Sequence, residues 1–314
     1  MSRIVVFGAN GFIGRNLVKA LSQNKEDSIV AFDRFSAYQR KTVHPFDDYH
    51  NVEVAIGDFF NRGDVSRTLE GADYVFHLVS STTPASSNND PFIDIETNAR
   101  GSVELFDLCV EHKVKKVVFL SSGGTVYGDI DSDKIGENVV PAPRSPYGIG
   151  KLTIEHYLRY FKYVSGLDYI VYRVSNPYGP GQNIHGQQGV IAIFLHKILS
   201  GEPITVYGDG SMVRDYIYID DLITMIMASY RAENKYGEYN LGSGKGETVN
   251  DVVSFIENCI GRSVDRQSSP TPSTFVQRSV MDTSRFTGEF GVKSTTGLQA
   301  GIKKTLDYVK HIAE

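Results

Sequence analysis

The chain has 314 residues, of which 41% are hydrophobic and 22% charged, and carries a formal charge of −5. This length allows a sizeable buried core in one large or two medium domains, and the composition excludes disordered and collagen-like classes. Net acidity, with no Lys/Arg cluster on any candidate helix, argues against nucleic-acid or anionic-membrane partners.

The opening stretch MSRIVVFGANGFIG lacks the charged region, longer apolar stretch and cleavage site of a signal peptide. No run of eighteen apolar residues exists, so a cytoplasmic protein is expected. Cys109 and Cys259 lie in helix-like runs without metal-type spacing and read as buried thiols in a reducing compartment, with no metal site.

Apolar runs of strand length occur at 3–8, 28–33, 52–58, 74–80, 116–122 and 169–175. They alternate with amphipathic patterns such as Phe12, Ile13, Leu17, Val18, Leu21 and Val103, Leu105, Phe106, Cys109, Val110. Repeated βα units of this length predict an α/β fold with a doubly wound parallel sheet over 1–175. After 175 the pattern loosens into NPYGPGQN (176–183), YGDGS (207–211) and RQSSPTPST (266–274), which predicts a smaller, loop-rich domain over 176–314.

Between the first strand and first helix stands GANGFIG, with Gly8, Gly11 and Gly14. Glycines there permit a tight turn and let the backbone approach a pyrophosphate, whose charge is met by amides at a helix N-terminus. Asp33 ends the second strand about twenty residues on, where a carboxylate binds adenosine ribose hydroxyls and repels a 2′-phosphate, favouring NAD over NADP despite Arg34 next to it. Asp58, after the third strand, either meets the adenine or serves a turn.

Residues 147–151 read YGIGK, placing Tyr147 and Lys151 on one helix face. An isolated pair of this kind is an ordinary helix face. Beside a bound dinucleotide, an ammonium and a cationic nicotinamide ring both favour the phenolate, which makes Tyr147 a general base and lets Lys151 hold the nicotinamide ribose.

GANGFIG, Asp58, FHLVS, TNARGS, SSGGTVYG, SPYGIGK, RVSNPYGPGQ and YGDGSMVRDYIYIDDL occur in this order across nearly the whole chain. Together they resemble the extended short-chain dehydrogenase/reductase family, and within it the nucleotide-sugar epimerases and dehydratases. The resemblance implies a Rossmann-type NAD-binding domain, with a helix and strand near 215–245 returning to its sheet, and a C-terminal α/β domain that binds a UDP-sugar. It implies cofactor contacts from Gly8, Gly11, Phe12, Ile13, Gly14, Asp33, Arg34, Asp58, Phe59, Leu78, Val79, Ser80, Asn98, Ser121, Tyr147 and Lys151, with His77 on the strand that passes the cofactor. Asn176 and Arg214 match substrate residues, and an arginine fork suits phosphate oxygens. Relatives dimerise through helices matching 97–112 and 150–165, the second of which carries Leu152, His156, Tyr157, Tyr160 and Phe161.

Two departures stand out. The family's catalytic serine or threonine position is Gly123, so Ser122 or Thr125 takes that role, with Ser122 preferred because it adjoins the vacancy. A phosphate-binding arginine position is Pro272, for which Arg278 could compensate.

Related dehydratases carry an Asp-Glu pair after Ser122, and related uronate decarboxylases a glutamate. Gly123, Gly124 and Thr125 offer no ionisable group, which disfavours elimination. The expected reaction is C4 epimerisation through a 4-keto sugar; the alternative is a nucleotide-sugar reductase or dehydratase of the same family. Three residues before the position matching Asp282, related epimerases place either a bulky aromatic that excludes N-acetylated sugars or a small residue that admits them; Ser279 stands there, so the resemblance implies UDP-GlcNAc/UDP-GalNAc as substrates beside UDP-Glc/UDP-Gal.

Overall fold

The structure, a computed structural model, describes residues 1–35, 45–186, 188–272 and 274–313. Its main sheet is built from β1 (Arg3–Phe7), β2 (Ser28–Asp33), β3 (Val52–Ile56), β4 (Tyr74–His77), β5 (Lys116–Ser122), β6 (Asp168–Val174) and a strand Glu238–Leu241. Taken across the sheet, the order is Glu238–Leu241, β6, β5, β4, β1, β2, β3. The pairs β1/β2, β1/β4, β2/β3 and β4/β5 are parallel. The central strands carry continuous apolar runs, IVVF in β1 and VVFL in β5, because both sheet faces are covered.

The α-helices of the first 165 residues are α1 (Phe12–Leu21), α2 (Arg62–Thr68), α3 (Arg100–Glu111), the single turn α4 (Gly123–Val126) and α5 (Pro146–Ser165). A π-helical turn, Asp94–Ala99, leads into α3. Val5, Phe7, Val75, Leu105, Phe106, Val117, Phe119, Ile154 and Leu158 form the core that joins β1, β4 and β5 to α3 and α5. Cys109 belongs to it, whereas Cys259 is only half-buried, which corrects the expectation of two buried thiols.

Strand order reverses at β1, with β2 on one side and β4 on the other, so a crevice opens at their carboxyl ends. Strand β4 stops at His77, short of the expected 80. Leu78 N–H donates to Phe7 O (3.0 Å), and the chain then crosses against Gly8.

The chain divides into two compact units. One comprises 1–121, 146–172 and 229–238; the other comprises 122–145, 173–228 and 239–314. The division thus interleaves along the sequence, with 229–238 returning to the first unit. In the second unit the parallel pair Asn176–Tyr178 and Tyr216–Tyr218 lies near helix Leu298–Ala313, and Val213–Arg214 is flanked by Glu247–Thr248 and Arg278–Ser279. No helix among the described residues is long and apolar enough to cross a membrane.

Candidate active site

In the first unit the glycine loop follows from backbone geometry. Gly8 has φ +87°, and a Cβ there would lie 3.1 Å from Val79 N, so the loop passes directly over Leu78 and Val79. A side chain on Gly14 would sit 2.8 Å from Ala9 Cα and collide with the Gly8 carbonyl oxygen. Gly11 precedes α1, whose first turn, beginning with the half-buried Phe12 and Ile13, has neither a side-chain cap nor an acidic residue among the described residues. Unpaired amide donors at the start of a ten-residue helix suit a pyrophosphate.

Asp33 Oδ2 accepts from Asn10 N (3.0 Å) and Oδ1 from Arg34 N (2.7 Å), which fixes the carboxylate beside the loop with a lone pair left on each oxygen for ribose hydroxyls. Arg34 is exposed. Asp58 is exposed too, and its Oδ1 accepts from Phe60 N (3.0 Å), a turn contact. Phe59 is buried and stacks on His77 with centroids 5.3 Å apart. Ser80, exposed, donates to Thr82 O (3.1 Å).

Asn98 acts as a lock. Its Oδ1 accepts from Ser81 N (2.9 Å), and its Nδ2 donates to Asp94 Oδ1 (2.7 Å). Ser121 donates to the buried Glu155 carboxylate of α5.

Tyr147, Lys151 and Glu155 succeed one another at four-residue intervals on α5. Lys151 is 5% exposed; its ammonium donates to Leu120 O (3.0 Å) and lies 4.8 Å from the Phe119 ring centroid and 5.6 Å from that of Tyr147. Burial brings Lys151 down to about 8, opposed by the Asp94 and Glu155 carboxylates. The half-buried Tyr147 is pushed above its ordinary value by loss of hydration and then by Asp94. Burial and Asp94 thus act against the phenolate that Lys151 and a nicotinamide ring together are expected to favour. His77 is brought down to about 3 by burial and then by Lys151, so its imidazole is neutral.

In the second unit, Ser122 and Thr125 are both half-buried around the turn that follows β5. Ser122 Oγ makes no hydrogen bond to any described residue, whereas Thr125 Oγ1 leans back to Ser122 O (3.5 Å). A Cβ on Gly123 would lie 2.6 Å from Met281 Sδ and 3.0 Å from Arg173 O, so a side chain there would require Met281 to shift and would crowd the Arg173 carbonyl. Asn176 Oδ1 stands 4.0 Å from the Cβ position of Gly124, and its Nδ2 donates to Asp215 O (3.0 Å).

Arg214 donates to Val213 O (2.8 Å) and has no carboxylate within ion-pair distance among the described residues. Burial lowers its pKa, opposed by Tyr216 and Asp129. A half-buried cation without an anion suits a diphosphate. Ser279 is 2% exposed and pairs with Arg214 across the short sheet. Arg278 instead donates to Asp133 O through Nη2 (3.2 Å), so it is engaged within the protein.

Sequence reasoning missed Asp94 and Glu155, the two buried carboxylates around Lys151. Spacing held a signal for each: Glu155 falls one turn after Lys151, and Asp94 one turn before Asn98.

A dinucleotide loop at a switch point, together with a Tyr/Lys pair whose lysine is buried against β5, defines a nicotinamide-dependent enzyme of the short-chain dehydrogenase class. Residues 4–242 match the NAD dependent epimerase/dehydratase family, to which the chain belongs, and its cofactor is NAD. The chain is 30% identical over 311 residues to a UDP-glucose 4-epimerase of Mycolicibacterium smegmatis, covering 98% of this chain and 99% of the relative. It is also 30% identical over 329 residues to a dTDP-4-dehydro-6-deoxyglucose reductase of Escherichia coli, covering 98% and 97%. UDP-glucose 4-epimerase from Thermotoga maritima, solved with UDP-glucose, superposes with a TM-score of 0.92 at 31% identity, covering 99% of this chain and 100% of that one.

Proposed function

We propose that this chain is an NAD-dependent 4-epimerase acting on a UDP-hexose or UDP-N-acetylhexosamine. The observation that carries the reading is the strand end at 123–125. Gly123 is sealed by Met281 and the Arg173 carbonyl, and Gly124 and Thr125 have no ionisable group. An elimination needs an acid and a base there; oxidation and re-reduction at one carbon needs only the Tyr147/Lys151 pair.

Bound NAD supplies the hydride acceptor and then the hydride donor. Tyr147 takes the C4 hydroxyl proton as the C4–H bond gives up its hydride, leaving a 4-keto sugar. After the sugar turns over, hydride returns to the opposite face and Tyr147 gives the proton back. Lys151 favours the phenolate and Ser122 Oγ donates to the C4 oxygen. Arg214 and Asn176 hold the nucleotide diphosphate, and the small Ser279 admits an N-acetyl group.

The first unit, in this reading, binds NAD and the second the sugar nucleotide. A second copy of the chain packs on the exposed Tyr157, Tyr160 and Val164 of α5 and on Phe92 and Ile95; light scattering tests this, and a monomer sinks it.

The decisive experiment incubates purified protein, without added cofactor, with UDP-Glc and separately with UDP-GlcNAc. Proton NMR follows the C4 epimers and absorbance follows NADH. Galacto product without net NADH is expected; absence of product despite bound NAD, or stoichiometric cofactor consumption, refutes the epimerase reading.

A further inference from the structure

One charged side chain beside the Tyr/Lys pair has no part in the chemistry above. Asp94, in the π-helical turn before α3, is 2% exposed. Its Oδ1 accepts from Thr82 Oγ1 (2.8 Å) and Asn98 Nδ2 (2.7 Å), and Asn98 Nδ2 also donates to Thr82 Oγ1 (2.8 Å). This ring fixes the carboxylate. Its Oδ2 has no hydrogen-bond partner among the described residues.

The carboxylate abuts α5 where the catalytic pair is mounted: a Cβ on Gly150 would lie 3.2 Å from Asp94 Oδ1, one residue before Lys151 and three after Tyr147. A carboxylate withdrawn from water and left with an unpaired oxygen is unfavourable unless a cation answers it. The titratable groups coupled to one another here are Lys151, Tyr147 and Glu155 from α5, His77 from β4, and Asp94 itself. The cation on the adjoining residue of α5 is Lys151, whose ammonium donates to Leu120 O (3.0 Å).

We propose that Asp94 is a positioning residue of the catalytic pair, a fixed buried acidic group set against the turn of α5 that carries Tyr147 and Lys151, and that it shapes the electrostatic surroundings in which Tyr147 meets its substrate. The electrostatics agree. Asp94 opposes the desolvation of Lys151 more than Glu155 does, and it is the acidic group that holds the Tyr147 phenol up. Asp94 works against ionisation of Tyr147, and a further positive charge, such as an oxidised nicotinamide ring would bring, works for it. Proton removal is thereby favoured by the presence of a hydride acceptor. The inference rests on Tyr147 being the base of the proposed reaction.

The test reads the phenol directly. Holoenzyme labelled with [13Cζ]tyrosine is titrated by NMR, the Tyr147 resonance being assigned by its loss in Tyr147→Phe. In Asp94→Asn the ionisation of Tyr147 should begin about one pH unit lower than in wild type. Gly150→Ala keeps every charge, favours the helix and pushes the carboxylate back; a smaller shift in the same direction is expected. A purely structural Asp94 would lower thermal stability in Asp94→Asn without moving the Tyr147 titration, and an unmoved titration in both variants overturns the proposal. If Asp94→Asn does not fold, Gly150→Ala decides in the same way. No substrate enters the titration, so failure of the epimerase assay and failure of this inference are separate results.

Discussion

Around the glycine loop the constraints run between backbone atoms: Gly8 over Leu78 and Val79, Gly14 against the Gly8 carbonyl, Asp33 on the amides of Asn10 and Arg34. Around Arg214 they run between side chains and distant backbone, as with Arg278 on Asp133 and Asn176 on Asp215. The first kind of constraint is written in residue types at short spacing, since only glycine fits where a Cβ collides. The second depends on which loops meet, so one arginine is left to face a ligand and its neighbour is tied down. A motif therefore identifies a cofactor loop more securely than it identifies a substrate grip.

The sharpest break of that comparison is Tyr147→Phe. Loss of the base should reduce kcat by about 10²–10⁴-fold while retained NAD, measured after denaturation, stays unchanged. Loss of NAD as well would mean that the phenol is part of the cofactor cradle more than of the chemistry.

Next come the two arginines. Arg214→Gln should raise KM by about 10- to 100-fold, the loss of a charge-assisted contact of roughly 1.5–3 kcal/mol. Arg278→Gln should leave KM within about twofold and cost under about 1 kcal/mol of stability, as expected of an exposed ion pair. Equal KM effects in steady-state assays would place both on the substrate.

On the cofactor side, Gly14→Ala should destabilise the fold by about 1–3 kcal/mol through overpacking and strip the purified protein of NAD. A variant that keeps both its melting temperature and its NAD would show the loop to be slack.

The last effect is the acid response of the neutral His77. Its folded value of about 3 lies below the ordinary 6.5, so the unfolded state binds the proton first. Stability is intact above about pH 6.5 and falls as pH drops toward 3, by up to about 1.4 kcal/mol per pH unit. Urea unfolding at pH 7.5, 6 and 5 reads the slope, which His77→Gln should flatten; equal slopes in the two proteins would exclude His77 as the cause.

The sheet was legible in the sequence because buried parallel strands are nearly continuous apolar runs: β2 at 28–33 and β5 at 116–122 fall at the expected bounds. Strand β4 was overextended, because its end is set by Phe7 O and Gly8, which lie far away in sequence. The glycines and the Tyr147/Lys151 face followed from spacing. The locks did not: Asn98 turned out to fix Asp94 and Ser81, Ser121 to serve Glu155, and Asp58 to make a turn, because hydrogen-bond partners are settled by tertiary packing.

The filled space at Gly123 has a consequence for sequence change. Met281 Sδ and the Arg173 carbonyl occupy the volume a side chain would need, so a change at position 123 forces Met281 to move. Among diverging copies of this gene, a serine or threonine at 123 should therefore tend to accompany a change at position 281, and the two sites should covary although one lies in the first half of the chain and the other near its end. The reverse path meets the same contact: once a hydroxyl stands at 123, a methionine at 281 must take another rotamer.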